Sequence, residues 1–258
     1  MRAVDSAIAL ARENDWGLTV HWRQQRGILN CRFDRLFEPI PGIQLREIHG
    51  MPRGFDDSWR SRLVRWYNGG IAISRQESGA LLSQGVDPRA WNAHKNIFII
   101  SYSRFHHNVH QYADFIPNAD LRALVDVETR DFSRETIGVH IRRTDNTNSI
   151  EHSPLDRFEA AIRSELGKSE RHRCYVASDS LETKEHLQRM FGDRVLCNMV
   201  QADRDSPAGV VQAAIELYAL SRTQRIYGSY WSSFSHTAAH IGHIPEYTVL
   251  KDEFRLAQ

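Results

Sequence analysis

"IGVHIRRTDN", residues 137–146, decides how this chain is read. It opens as an apolar, β-branched run and closes in Arg142, Arg143 and Asp145, with His140 just before them. Such a run favours a strand. In open α/β sheets, ligands bind beyond the carboxyl ends of the strands. The polar end of this strand is therefore a candidate site. Successive strand residues point to opposite faces, so one of Arg142 and Arg143 can enter a cleft while the other packs or pairs. A guanidinium there can hold a phosphate through two charge-assisted hydrogen bonds. The competing reading is a solvated arginine pair neutralised by Asp145, and the ten residues weigh both equally.

Outward from this strand, the second half alternates strand and helix. "SPLDRFEAAIRSEL" (153–166) predicts a helix with Ser153 as N-cap and Pro154 in its first turn. "RCYVASD" (173–179) reads as a strand, and "LETKEHLQRMFG" (181–192) as a helix ended by Gly192. Then come a strand at 194–199, a Ser-Pro-capped helix at 206–223 and a strand at 225–229. A helix at 232–242 and a last strand at 246–250 complete the pattern. Regular alternation predicts a parallel sheet covered on both faces. His140, Arg142, Asp179 and the Gly228-Ser229 pair all fall at strand ends, and that convergence is a stronger signal than any one of them.

The first half is less regular. Residues 2–14 predict an amphipathic helix, 18–22 and 96–102 predict strands, and 119–132 a helix or linker. Between them runs a loop-rich stretch with turn signals at Pro39, Pro41-Gly42, Pro52 and Gly69-Gly70.

Composition bounds the class. The chain has 258 residues, 41% hydrophobic and 25% charged, with a net charge of +1. That is ordinary for a globular protein and gives no reason to expect nucleic-acid binding. Cys31, Cys174 and Cys197 are odd in number and lack CxxC spacing, which predicts reduced thiols rather than a disulfide scaffold or zinc site. No apolar run is long enough to span a bilayer. The expectation is a cytoplasmic protein, able to sit peripherally at the inner membrane.

Ser178 and Asp179 stand at the second strand end, where Asp179 can accept from a nucleobase edge or cap the next helix, and capping is the stronger reading of the residues alone. Gly228, Ser229, Ser232, Ser233 and Ser235 surround a helix start, where free N–H groups and hydroxyls suit an anion, and they exceed what capping needs. Asp203 and Asp205 match a short acid-x-acid metal-binding pattern, but such short matches are weak, and the pair stands just before a helix, where acidic residues complement the dipole. His106, His107 and His110, and likewise His236, His240 and His243, lack an obvious acidic or cysteine ligand at metal spacing and read as solvated or packed. No nucleophile elbow, phosphate-binding lysine loop or dinucleotide fingerprint is present.

"GVHIRRTDN", "CYVASDS" and "YGSYWSSFSHTAA", in this order and spacing, resemble the GDP-fucose-dependent fucosyltransferases. These include the α1,6-fucosyltransferases, the rhizobial nodulation enzyme, the α1,2-enzymes and the protein O-fucosyltransferases. The resemblance covers about residues 135–245 well and the first half diffusely. It implies an α/β, GT-B-like fold of two Rossmann-like domains, an acceptor-side domain at 1–130 and a GDP-sugar-binding domain at 131–258. It implies metal-independent, inverting transfer of fucose from GDP-fucose to a glycan or protein hydroxyl, with no cofactor beyond the donor. Arg142 would bind the β-phosphate, His140 and Asp179 would lie near the guanosine, and Arg143, Ser178, Ser229, Ser232, Ser233 and Ser235 would complete the donor site. Glu151 is the best-placed carboxylate in sequence for the base, with His152 second. Family members carry a strand and a glycine-rich loop before the helix that opens this chain, so the first domain is expected to lack both. The alternatives are a degenerate protein that binds a GDP-sugar or glycan without turnover and, well below it, a phosphate-ester hydrolase with His140 as nucleophile.

Overall fold

A computed structural model describes residues 1–50, 55, 58–85, 91, 94–144 and 147–257. Pro52 and Asp145 lie outside the described residues. The chain divides into two units. The first comprises Met1–Gln25, Arg32–Asp34 and Glu38–Ile116, and the second Arg26–Cys31, Arg35–Phe37 and Pro117–Gln258.

In the first unit, α1 (Arg2–Glu13) leads into β1 (Leu18–Arg23), which pairs in parallel with β2 (Ile43–Ile48). Then α2 (Trp59–Tyr67), β3 (Gly70–Ile73), α3 (Arg75–Gln84) and β4 (Asn96–Ile99) follow, with β3 and β4 a second parallel pair. Among the described residues, the stretch expected to be loop-rich thus holds two strands and two α-helices. Of its turn signals, Pro41-Gly42 and Gly69 mark turns, with Gly42 at φ 78° and Gly69 at φ 59°, a region that favours glycine, whereas Pro39 is in irregular chain outside a turn and Gly70 opens β3. The core here gathers Leu10, Ile73, Leu81, Trp91 and Phe105. Asp5 is fully buried and accepts from Arg104 Nη1 (3.0 Å), Asn108 Nδ2 (2.8 Å) and the Tyr112 N–H (2.8 Å), so it ties the 104–112 loop to α1. A cavity of about 490 Å³ is lined by Leu10 and Ala11 of α1, Leu18 and Thr19 of β1 and Ile97 and Ile99 of β4.

The second unit begins its regular structure at α4 (Ala119–Glu128). It continues as β5 (Thr136–Ile141), α5 (Thr147–His152), α6 (Leu155–Lys168), β6 (Arg173–Ser178), α7 (Leu181–Phe191), β7 (Val195–Leu196), α8 (Pro207–Ser221), β8 (Ile226–Ser229), α9 (Ser233–Gly242), β9 (Glu246–Val249) and β10 (Phe254–Leu256). Six strands form one sheet in the order β10-β9-β8-β5-β6-β7. All pairs are parallel except β10 against β9. Every residue of β5 is buried, as expected for the central strand of a sheet covered on both sides. Ile137, Val139 and Ile141 face Phe158 and Ile162 of α6. Gly138 faces the other way, where a Cβ would come within 2.7 Å of Thr223 Oγ1 and 3.0 Å of Leu220 Cδ2, so glycine lets α8 approach the sheet.

Several sequence expectations are corrected here. β7 is two residues, and the antiparallel β10 follows the strand expected to be last. Ser153 does not cap α6, because Pro154 occupies the N-cap position. The Ser153 hydroxyl instead donates to the Val249 carbonyl (2.5 Å) and accepts from the Tyr230 N–H (2.7 Å), tying α6 to two strand ends. Asp179 is not the cap of α7, whose N-cap is Ser180 accepting from the Thr183 N–H. Ser206 does cap α8, with Pro207 in its first turn.

Candidate active site

A pocket of about 300 Å³ lies within the second unit at the carboxyl ends of β5 and β6. His140, Arg142, Thr144, Ser178 and Asp179 line it from the strand ends, and Glu216 and Phe234 from α8 and α9. The remaining wall is Gly27, Ala213 and the 201–205 loop.

The residues at the end of β5 have distinct jobs. Arg142 lines the pocket. Its N–H donates to Ser229 Oγ at 3.0 Å, and that hydroxyl donates to the His140 carbonyl at 3.3 Å, so Ser229 locks β5 to β8 where the site opens. Arg143 turns away, donating to the Ser153 carbonyl at 2.8 Å with its guanidinium 5.9 Å from the Phe158 ring centre. The alternation expected of the pair is therefore present. Asp179 accepts from the N–H groups of Arg143 (2.7 Å) and Thr144 (3.3 Å) and from the Thr144 hydroxyl (2.7 Å). Its carboxylate thus shapes the loop that follows Arg142.

His140 is buried, and its ring stacks on Phe234 with centroids 4.8 Å apart and planes at 25°. Its Nδ1 has no hydrogen-bond partner among the described residues. Burial pulls its pKa down to about 4, with Asp179 and Glu246 opposing and Arg142 assisting. The imidazole is neutral at pH 7. A depressed histidine pKa means the unfolded state binds the proton more readily. Its stabilising contribution is complete above 6.5 and is lost as pH falls through about 4. Acidification across that window is expected to cost about 3 kcal/mol in denaturant unfolding of the native chain. A His140→Gln variant should show a correspondingly flatter acid limb.

Glu216, 3% exposed, forms the pocket's buried floor. Its Oε1 accepts from Lys184 Nζ at 2.5 Å, and that wholly buried ammonium also donates to the carbonyls of Asn198 (2.9 Å) and Val200 (3.2 Å). Among the described residues, Glu216 Oε2 takes no hydrogen bond. Burial raises the carboxyl pKa to about 7 against the pull of Lys184.

The acid-x-acid match has local duties. Asp203 accepts from the N–H groups of Asp205 and Ser206 (both 2.8 Å), which hold its pKa low, and its carboxylate fills the space a Cβ on Gly209 would need. Asp205 Oδ1 accepts from the Gly27 N–H at 2.6 Å and so positions the 26–31 segment on the pocket wall. Among the described residues, no group of three His, Cys, Asp or Glu side chains is placed to hold a metal. Each histidine set does meet a carboxylate distant in sequence. His106 Nε2 lies 2.7 Å from Glu13, and His236 Nδ1 lies 3.3 Å from Glu246 with its Nε2 3.0 Å from His240 Nε2.

Other sequence candidates stand outside this lining. Ser232 caps α9, accepting from the Phe234 N–H at 3.4 Å, and Ser233 begins that helix. Ser235 is fully buried, with its Oγ unpartnered among the described residues and pressed against Gly228, where a Cβ would come within 2.4 Å. Glu151 is exposed on α5, and His152 packs edge-on against Tyr230. Glu216, Phe234 and Gly27 were not singled out from sequence.

No protein-family model matches the chain, and no curated relative matches it by sequence. Solved structures do. The α1,6-fucosyltransferase NodZ soaked with GDP-fucose matches with a TM-score of 0.67 at 17% identity, over 99% of this chain and 93% of that one. The fold is that of solved fucosyltransferases. NodZ from Bradyrhizobium matches again in a separate structure, with a TM-score of 0.65 at 18% identity over 99% and 92% of the two chains. A mutant of Arabidopsis thaliana FUT1 in complex with GDP gives 0.60 at 16%, over 99% and 70%. Apo POFUT1 gives 0.54 at 10%, over 96% and 93%. The fucosyltransferase likeness thus spans both units, although the sequence motifs were concentrated in the second.

Proposed function

We propose that this chain transfers fucose from GDP-fucose to a hydroxyl of a glycan or protein, with inversion and without a metal. The observation that carries the reading is the pocket at the ends of β5 and β6. There Arg142 stands with a neutral aromatic stack and a buried carboxylate. Arginine suits a diphosphate, which it can hold with two hydrogen bonds. The stack of His140 on Phe234 offers an apolar wall for a nucleoside. The open oxygen of Glu216 suits the adjacent N–H donors of guanine, which adenine and uracil do not present as a pair.

In the proposed step the acceptor oxygen bonds to fucose C1 as the bond from C1 to the β-phosphate oxygen breaks. GDP leaves with the electron pair, and Arg142 stabilises the charge that develops on it. The hydroxyl proton passes to a base, for which Glu151 remains the proposed group and His152 the second. Ser178 and Asp179 would border the nucleoside and Ser229, Ser232, Ser233 and Ser235 the phosphate and sugar, with Arg143 fixing the loop beneath.

One observation favours a second reading. Glu151 is exposed and does not line the pocket, which suits a protein that binds a GDP-sugar without turnover. Incubating purified protein with GDP-fucose and a panel of glycan and protein acceptors separates the two. Release of GDP with fucosylated product supports transfer, and saturable GDP binding without product supports binding alone. Transfer is expected to persist in a metal chelator. Loss in chelator, restored by manganese or magnesium, would make Asp203 and Asp205 ligands after all.

A further inference from the structure

The helix α2, "WRSRLVRWY", has an unusual distribution of exposure. Trp59 is 67% exposed, Leu63 53%, Trp66 80% and Tyr67 84%. Their spacing of i, i+4, i+7 and i+8 places them on one arc of the helix. The opposite side is the one the protein covers, with Ser61 1% exposed and Val64 half-buried. So the chain buries a serine and turns two tryptophans, a tyrosine and a leucine to water. Single exposed apolar residues are common, but a contiguous apolar arc of this kind marks an interaction surface.

The charges indicate what covers it. At 100° per residue, Arg62 borders the arc on one side and Arg60 on the other. Neither has an ion-pair partner among the described residues, although the Arg60 guanidinium lies 5.3 Å from the Trp59 ring centre. The helix carries three arginines and no acidic residue. An apolar arc flanked on both sides by cations fits a surface that is negative in all directions and apolar just beneath. Tryptophan and tyrosine prefer that boundary, because their rings are apolar and their N–H or O–H edges are polar. No helix among the described residues is long and apolar enough to cross a membrane, so contact through α2 would be peripheral.

We propose that α2 docks on an anionic phospholipid surface. Trp59, Leu63, Trp66 and Tyr67 enter the headgroup boundary, and Arg60 and Arg62 meet lipid phosphates. The proposal is independent of the donor pocket, since α2 lies wholly in the first unit. The test is co-sedimentation of the full chain with phosphatidylcholine vesicles made with and without phosphatidylglycerol. The native chain should partition onto the anionic vesicles and be released by salt. Trp59→Ala with Trp66→Ala should lower the partition coefficient at least about tenfold on loss of buried apolar area. Arg60→Gln with Arg62→Gln should lower it about tenfold on anionic vesicles alone. Both variants should keep the native circular dichroism and melting temperature, because the replaced side chains are exposed. Failure of the native chain to bind vesicles would overturn the proposal, as would variants that bind like the native chain. If the tryptophan variant changes only the self-association of the protein in ultracentrifugation, the arc is a contact between copies and the lipid proposal is wrong.

Discussion

Replacing Arg142 by lysine is expected to lower fucose transfer at least about a hundredfold while leaving the fold intact. The backbone of Arg142 is held by Ser229, a contact any residue makes, so the substitution leaves that lock in place. Lysine keeps the charge but offers a point donor where a fork is needed. Removing one donor that stabilises a leaving anion costs about 3 kcal/mol in the transition state, which is over two orders of magnitude in rate. The loss should fall mainly on kcat, because the developing charge on GDP is larger than that of the bound donor. Steady-state kinetics with GDP-fucose measure it. Unchanged kinetics would remove Arg142 from the mechanism.

The largest stability effect is expected at Lys184. Its ammonium is fully buried and satisfies Glu216 and two carbonyls at once. Lys184→Met removes the ammonium shared by three acceptors beneath the pocket and leaves Glu216 with the long contact from Gln212 Nε2 at 3.5 Å. Breaking a buried pair from one side typically costs about 3–5 kcal/mol. The pH dependence has a definite sign. Glu216 has its carboxyl pKa raised from 4.5 to about 7, so the folded state binds its proton more tightly than the unfolded state does. The contribution of that group is complete below 4.5 and is lost as pH rises through about 7. Without Lys184 the pKa rises further, so the variant should lose more stability at about pH 8 than at about pH 5. Urea unfolding at both values checks this. Adding Glu216→Leu to Lys184→Met should recover part of the loss, since an apolar pair tolerates burial better than an unpaired carboxyl.

The parts of this molecule that were legible in its sequence share a physical cause. β5 and β6 are buried on both faces, so their sequences are continuous apolar runs that end where the pocket begins. That is why His140, Arg142, Ser178 and Asp179 could be located from sequence and do line the pocket. β2, "IQLREI", is half-buried and interrupted by Arg46 and Glu47, so its sequence reads as loop. Ser153 looked like a helix cap because it precedes a proline, but its hydroxyl serves Val249, far along the chain. Gly27 is held at the pocket wall by Asp205, a partner 178 residues away that no local pattern announces. Glu216 did leave a signal. In α8, "PAGVVQAAIELYALS", Gln212 and Glu216 stand four apart in an otherwise apolar helix, and a buried charge in such a setting implies a partner or a ligand. Phe234 was hidden among the serines of the α9 start, whose hydroxyls drew attention from the ring that stacks on His140.

The central claim is that the pocket at the ends of β5 and β6 is built for a guanosine diphosphate. Calorimetric titration of the purified chain with GDP, ADP and UDP tests it most directly, because it needs no acceptor. The account predicts saturable binding of GDP, weaker binding of ADP and UDP by at least about tenfold, and loss of most of that preference in Glu216→Leu. Equal affinity for the three nucleotides, or GDP binding untouched by both Arg142→Lys and Glu216→Leu, would contradict it.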